Sequence, residues 1–299
     1  MIKMLQRNKM NSNRLLSGLV LLVLLFLAGC QTQENKSSKE TTSTETTMTS
    51  QVVSVEKGTV PTLFVHGYKG TVNSFKGMIT RLEKENKGKQ ELTLTVDVNG
   101  NIQSQGILSQ QATNPMIQVL FADNENNEWN QAEWIRACLV YLQTTYQINK
   151  VNIVGHSMGG VSGLRYLVTY GQETTLPQVE KFVALGAPFN DFVDDSGQNL
   201  ADLLENGPTV VSSKYQDYQT MIGNLSTDTQ FLLVAGQLSE VELSDGTVPL
   251  NSALAVYALL KQHGNPVMEK VEEGEGASHS MLHENEEVDR EVSQFFWNS

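Results

Sequence analysis

The sequence predicts an α/β fold: a mostly parallel central sheet with helices on both faces and a small insertion over the sheet. Three observations carry this. Apolar runs at 61–66, 151–155, 181–186 and 230–236 are continuous rather than alternating, as strands covered on both faces require. Stretches of helical spacing separate them, over 131–146, 159–170 and 252–263. Between one such strand and one such helix stands Gly155-His156-Ser157-Met158-Gly159-Gly160.

Taken in order, the chain opens with Lys3, Arg7, Lys9 and Arg14 and no acidic residue, followed by an apolar run over 15–28 that closes on Leu27-Ala28-Gly29-Cys30. A basic start, a short apolar stretch and small residues before a cut describe a secretory signal peptide. The run is too short to cross a hydrocarbon core of ~30 Å comfortably as a helix. The ending L-A-G-C resembles the lipobox of bacterial lipoproteins, which implies that Cys30 is lipidated and becomes the new N-terminus. A diacylglyceryl group contributes about 0.8 kcal/mol per buried CH₂, enough for stable membrane attachment. Residues 1–29 are thus expected to be a lipoprotein signal peptide. Residues 30–57, rich in Thr, Ser, Glu and Gln, are expected to be the lipidated cysteine and a disordered tether. The folded domain is expected over 58–299.

Loss of the leader removes four positive charges and carries the formal net charge from −12 to −16. So acidic a chain is a poor partner for nucleic acid or anionic lipid. Cys30 and Cys138 are its only cysteines, so a lipidated Cys30 leaves Cys138 as a free thiol in a helical pattern, read as a small buried side chain.

Within the domain, 91–98 (E-L-T-L-T-V-D-V) alternates as a strand and Asn99-Gly100 signals a tight turn. A second strand-like run occupies 116–122, and the pattern does not say which of the two is the core strand and which an edge addition. Residues 189–229 are polar, rich in Asp, Asn, Ser and Gly, and look like the insertion above the sheet. The run 267–272 reads as the last strand, and Val288, Val292 and Phe296 mark a final helix.

A G-x-S-x-G between strand and helix is the nucleophile elbow, which lifts a serine hydroxyl above the sheet at a helix N-terminus. Ser157 is therefore the candidate nucleophile, and the Met158 N–H a candidate oxyanion donor. The serine needs a base. On this fold the acid and then the histidine follow it in sequence. Asp245, in S-D-G-T-V-P soon after the run 230–236, is the candidate acid; Asp191, Asp194 and Asp195 in the insertion are its rivals. His279, on the loop leaving the last strand, is the candidate base, with His283 as the alternative. His263 ends a helix and is read as a cap. His66-Gly67 ends the first core strand, so the backbone N–H of Tyr68 is the second candidate oxyanion donor and His66 a loop-orienting group.

The chain resembles a family of Gram-positive cell-surface α/β-hydrolases without an assigned substrate. The resemblance rests on F-V-H-G-Y-K-G-T-V-N-S-F, Q-A-E-W-I-R, V-N-I-V-G-H-S-M-G-G-V, A-L-G-A-P-F-N, S-D-G-T-V-P, H-S-M-L-H-E-N and the closing F-F-W, which span about 60–297. It implies the α/β-hydrolase fold and a Ser-Asp-His triad on Ser157, Asp245 and His279.

The functional expectation is a serine hydrolase that cleaves an ester, thioester or amide through an acyl-enzyme on the outer face of a Gram-positive cell membrane. An acyltransferase with the same triad and a non-catalytic surface module are the alternatives. No cofactor or metal is expected. D-V-N-G-N-I at 97–102 lacks the spacing of a calcium loop, and D-N-E-N-N-E at 123–128 reads as a solvated loop. The expected partners are a small-molecule or cell-surface ester and the membrane, and the protein is expected to be a monomer. The mixed polar character of the insertion favours a small or soluble ester.

Overall fold

Continuous runs of Val, Leu and Ile need apolar cover on both faces, which the chain supplies by alternating strands with helices. The structure, a computed structural model, describes residues 58–298 other than Asp194 and Ser196. The expected signal peptide, Cys30 and the tether lie outside the described residues. The elements in chain order are β1 (Thr62–Val65), α1 (Asn73–Lys84), β2 (Lys89–Val96), β3 (Ile102–Gly106), β4 (Pro115–Phe121) and α2 (Glu128–Tyr146). There follow β5 (Lys150–His156), α3 (Met158–Tyr170), β6 (Gln178–Leu185), β7 (Phe189–Phe192), α4 (Leu200–Asn206) and α5 (Ser213–Met221). The chain ends with β8 (Gln230–Gln237), α6 (Leu250–Ala253), α7 (Tyr257–His263), β9 (Val267–Glu273) and α8 (Glu286–Trp297). Eight strands form one sheet in the order β3-β2-β4-β1-β5-β6-β8-β9, with β7 outside it. The pairings are parallel except that of β2 with β3.

Side-chain alternation divides each central strand between two cores. Phe64, Val154, Val183, Leu185, Leu232 and Val234 pack with Phe75, Met78, Val288 and Val292, so α1 and α8 cover one face. Their strand neighbours Leu63, Val65, Ile153, Phe182, Ala184 and Leu233 pack with Ile135, Leu139, Leu164 and Leu260, so α2, α3 and α7 cover the other. The two edges are built to refuse another strand: β3 is short and polar, and β9 carries Glu269, Lys270, Glu272 and Glu273.

Both of the runs left undecided by pattern belong to the parallel sheet. β4 lies inside it and β2 beside β4, while Asn99-Gly100 turns the chain into β3, a hairpin edge strand the sequence reading does not contain. That reading also has no helix over 73–84. The 252–263 pattern is two pieces, α6 and α7, because the first docks on the insertion. Asn251 Nδ2 donates to Asp195 O at 2.6 Å and Gln198 O at 3.0 Å, and Ser252 Oγ donates to Asp191 O at 2.5 Å. The insertion is more regular than its composition implies. Asn199 and Ser212 cap α4 and α5 by accepting from Asp202 N–H and Tyr215 N–H. The acidic run 123–128 is partly a cap as well, with Asn127 Oδ1 accepting from the N–H groups of Trp129 and Asn130 at 3.0 Å each.

Candidate active site

β5 ends at His156 and α3 begins at Met158, so Ser157 alone makes the turn, at φ 54° and ψ −122°. A non-glycine residue there costs about 1–3 kcal/mol and persists only where its surroundings hold it. Here Ser157 N–H donates to Leu185 O at 2.8 Å, and Ser157 O accepts from Gly160 N–H at 3.0 Å. The flanking glycines follow from the crowding. A Cβ on Gly155 would lie 2.5 Å from Gly159 backbone atoms, and one on Gly159 would lie 2.2 Å from Val65 O.

The turn brings Ser157 to two groups carried by distant loops. His279 Nε2 lies 2.9 Å from Ser157 Oγ, and His279 Nδ1 lies 2.7 Å from Asp245 Oδ2. The Asp245 loop fixes its own carboxylate: Oδ1 accepts from Thr247 N–H at 2.9 Å and Val248 N–H at 2.7 Å, which leaves Oδ2 for the imidazole. Asp245 O also accepts from His279 N–H at 2.8 Å, locking the two loops together. With Nδ1 donating to a carboxylate, Nε2 is the bare nitrogen and accepts from the serine hydroxyl; the tautomer follows from this network.

A histidine that the sequence reading passed over supports His279 from behind. His156 Nε2 donates to His279 O at 2.8 Å, and their ring centroids are 4.6 Å apart. Burial holds the His156 imidazole well below the usual histidine value, with the neighbouring His279 and His283 adding to the effect. Strand parity carries the signal that could have found it: His156 shares a face with Val154, the face α8 covers. His283, the alternative base, is not brought to Ser157. Its ring packs edge-on against His156 at 4.6 Å and against Phe75 at 5.9 Å, and its Nδ1 faces Glu284 Oε1 at 3.3 Å.

Two backbone donors flank the serine. Among the described residues neither Met158 N–H nor Tyr68 N–H has an acceptor. Met158 is the first residue of α3, and the loop of Tyr68 lies against the elbow, since a Cβ on Gly67 would sit 2.9 Å from Ser157 Cβ. His66 braces that loop. Its Nδ1 donates to Gly67 O at 2.8 Å and its Nε2 accepts from Phe121 N–H at 3.0 Å, an arrangement only the neutral ring makes. Burial lowers its pKa, opposed by the bond to Gly67 O.

The rivals of Asp245 have other partners. Asp191 lies 2.7 Å from Lys214 Nζ, Asp195 accepts from Thr209 and Val210, and Asp194 is outside the described residues. His263 Nδ1 lies 2.8 Å from Asn265 Oδ1 and lines a cleft of about 510 Å³ at the opposite edge of the sheet. Burial pushes the Cys138 thiol up to about 12. Asp97, in the run resembling a calcium loop, instead accepts from Asn99 N–H, Asn101 N–H and Asn101 Nδ2 at 2.8–2.9 Å.

Two solved structures share this architecture. A Listeria innocua gene product is 29% identical with a TM-score of 0.73, over 79% of this chain and 93% of that one. A presumed cell surface hydrolase from Lactobacillus plantarum is 25% identical with a TM-score of 0.66, over 80% of this chain and 92% of that one. No curated protein matches the chain. Residues 49–299 match the model of the family described as alpha/beta hydrolase of unknown function (DUF915). An eight-stranded, mostly parallel sheet with helices on both faces, a serine at the strand–helix elbow and a match covering the whole described domain place this protein in that α/β-hydrolase family.

Proposed function

We propose that the protein is a serine hydrolase that cleaves an ester through an acyl-enzyme formed on Ser157. One observation carries the proposal: the hydrogen-bonded chain Asp245–His279–Ser157, with links of 2.7 and 2.9 Å, ending at a serine in the elbow. His279 Nε2 takes the hydroxyl proton as Ser157 Oγ attacks the acyl carbon. The N–H groups of Met158 and Tyr68 receive the developing oxyanion, each worth roughly 10²–10³ in rate. His279 then passes its proton to the departing alcohol oxygen. In the second half a water gives its proton to His279 and attacks the acyl carbon, and the acid leaves as Ser157 recovers its hydrogen. Asp245 holds the ring in the required tautomer and stabilises its transient charge.

A fluorophosphonate probe tests this directly. It is expected to modify Ser157 in the folded protein, and Ser157→Ala is expected to lose labelling and at least about 10³-fold in p-nitrophenyl ester hydrolysis. Folded protein that stays unlabelled at Ser157 overturns the proposal.

We also propose that Cys30 anchors the protein by a lipid on the outer face of the cell membrane, which the basic, apolar and L-A-G-C order of the leader supports. Cys30→Ser is expected to move the protein out of the membrane fraction. Unchanged membrane retention of that variant, with its leader uncut, would point to the apolar run as the anchor instead.

A further inference from the structure

The segment after β1 turns at Gly67–Gly70, where Gly70 N–H donates to Gly67 O at 3.0 Å. Lys69, third in this turn, has φ 59°, while Tyr68 is not among the residues of positive φ. That combination is a type II turn, whose third position favours glycine. A lysine holds it only against the preference of an L side chain. One residue of the run 123–128 supplies the restraint from both sides of the turn. Lys69 N–H donates to Asn124 O at 2.8 Å, and Asn124 Nδ2 donates to Gly70 O at 2.8 Å. The neighbouring Glu125 adds to it, accepting from the Tyr68 hydroxyl at 2.9 Å and lying 3.7 Å from Lys69 Nζ.

Without these bonds the peptide between Tyr68 and Lys69 is free to turn over, giving a type I turn with Lys69 at negative φ. The flip turns the Lys69 N–H away from Asn124 O, and with it goes the anchor that holds the turn, and the Tyr68 N–H at its start, against the elbow. We propose that Asn124 is a positioning residue for catalysis: by holding the Gly67–Gly70 turn in its type II form it anchors the turn against the elbow and keeps the Tyr68 N–H placed for the acyl oxygen. This rests on the reading of Ser157 as nucleophile and Tyr68 as oxyanion donor. It also gives part of the run 123–128 a task other than that of a solvated loop.

Asn124→Ala removes the side-chain half of the clamp and leaves the backbone half unsupported. Hydrolysis of a p-nitrophenyl ester by the folded variant is expected to show kcat about 10- to 100-fold lower, with KM within about twofold. Crystals of the variant are expected to show Lys69 at negative φ. Adding Lys69→Gly is expected to restore most of kcat, because glycine takes the left-handed conformation without strain; a merely structural loss would not respond to this change. If the alanine variant fails to fold, Asn124→Asp, which keeps the shape but not the donor, carries the same three readouts. A left-handed Lys69 that survives loss of the Asn124 donor overturns the proposal, as does an unchanged kcat or an absent rescue by Lys69→Gly. Parent protein that neither hydrolyses esters nor takes up a fluorophosphonate would instead overturn the catalytic reading, and the conformation of Lys69 in the variant crystals would still decide whether Asn124 sets the turn.

Discussion

Among single residues, two buried imidazoles, His66 and His156, and the partly buried His283 set the response of the domain to acid. Burial lowers the pKa of His156, His66 and His283; a bond to Gly67 O opposes it at His66, and Glu284 opposes it at His283. Between the ordinary value of 6.5 and each lowered value, the unfolded chain binds a proton that the folded one refuses. Stability is therefore fully present above about pH 6.5 and declines as pH falls, by up to about 1.4 kcal/mol per pH unit for each proton. The raised values of Glu272 and Asp289 act with the opposite sign, favouring the folded state at low pH and losing that contribution as pH rises through them. The urea midpoint is expected to be level between about pH 8 and pH 7 and to drop below about 6.5, with a shallower drop in His156→Gln. A midpoint that rises on acidification down to about pH 5.5 would contradict this. Ser157, Asp245 and His279 were legible as candidates because a motif, a chain order and two turn signatures name them. His156 and Asn124 were not, because each acts through bonds to a backbone that only the folded loops bring near.

Among elements, α8 shows how the loop bearing His279 is fastened. Asn285 caps the helix, and Arg81 of α1 reaches across to Asp289 at 2.5 Å, Glu284 at 2.9 Å and His283 O at 3.1 Å. Asp289 is 4% exposed, so removing its partner strands a buried carboxylate. Arg81→Met is expected to lower unfolding free energy by about 3–5 kcal/mol in urea titrations. A loss under about 1 kcal/mol would mean that the clamp contributes no more than a surface pair. The central strands, α2, α3 and α8 were readable from periodicity, since their burial is what the period encodes. The helix α1 was legible too: its buried Phe75, Met78, Ile79 and Leu82 stand at the i, i+3, i+4 and i+7 spacing of an amphipathic helix, and only the capless start at Val72 and the interior Gly77 speak against it. The strand β3, exposed and polar, has no burial pattern to read, and the break between α6 and α7 comes from tertiary hydrogen bonds that override the local pattern.

At the scale of the whole molecule, the exposed large apolar residues are unevenly placed. Tyr68, Val72, Trp129, Phe192, Val210, Val211, Val241 and Met281 lie on segments that follow the C-terminal ends of parallel strands, the edge that carries Ser157. Of the connections at the other edge, 85–88, 147–149, 171–177 and 264–266 expose none, and 107–114 exposes Ile107. Within 189–229, Phe189, Leu203, Tyr215, Tyr218 and Leu225 are buried, while Phe192, Val210 and Val211 are held outward and give this polar stretch an apolar part beside the site. Across a series of p-nitrophenyl esters, kcat/KM is expected to climb about 10-fold or more from acetate to octanoate, at ~0.8 kcal/mol per CH₂ buried. A decline with chain length would restore the small polar ester as the favoured substrate. The chain enters the domain at the edge remote from Ser157, where Asn114 N–H donates to Gly58 O at 2.8 Å just ahead of β1 and β4. A pull on the N-terminus directed away from that edge therefore runs along β1, the strand flanked in parallel register by both β4 and β5. Those two ladders are loaded in shear, so their hydrogen bonds must yield together rather than unzip one by one. Force entering at the first residues of the domain is therefore met by the β1 ladders to β4 and β5 before it can reach the loops that carry Ser157, Asp245 and His279.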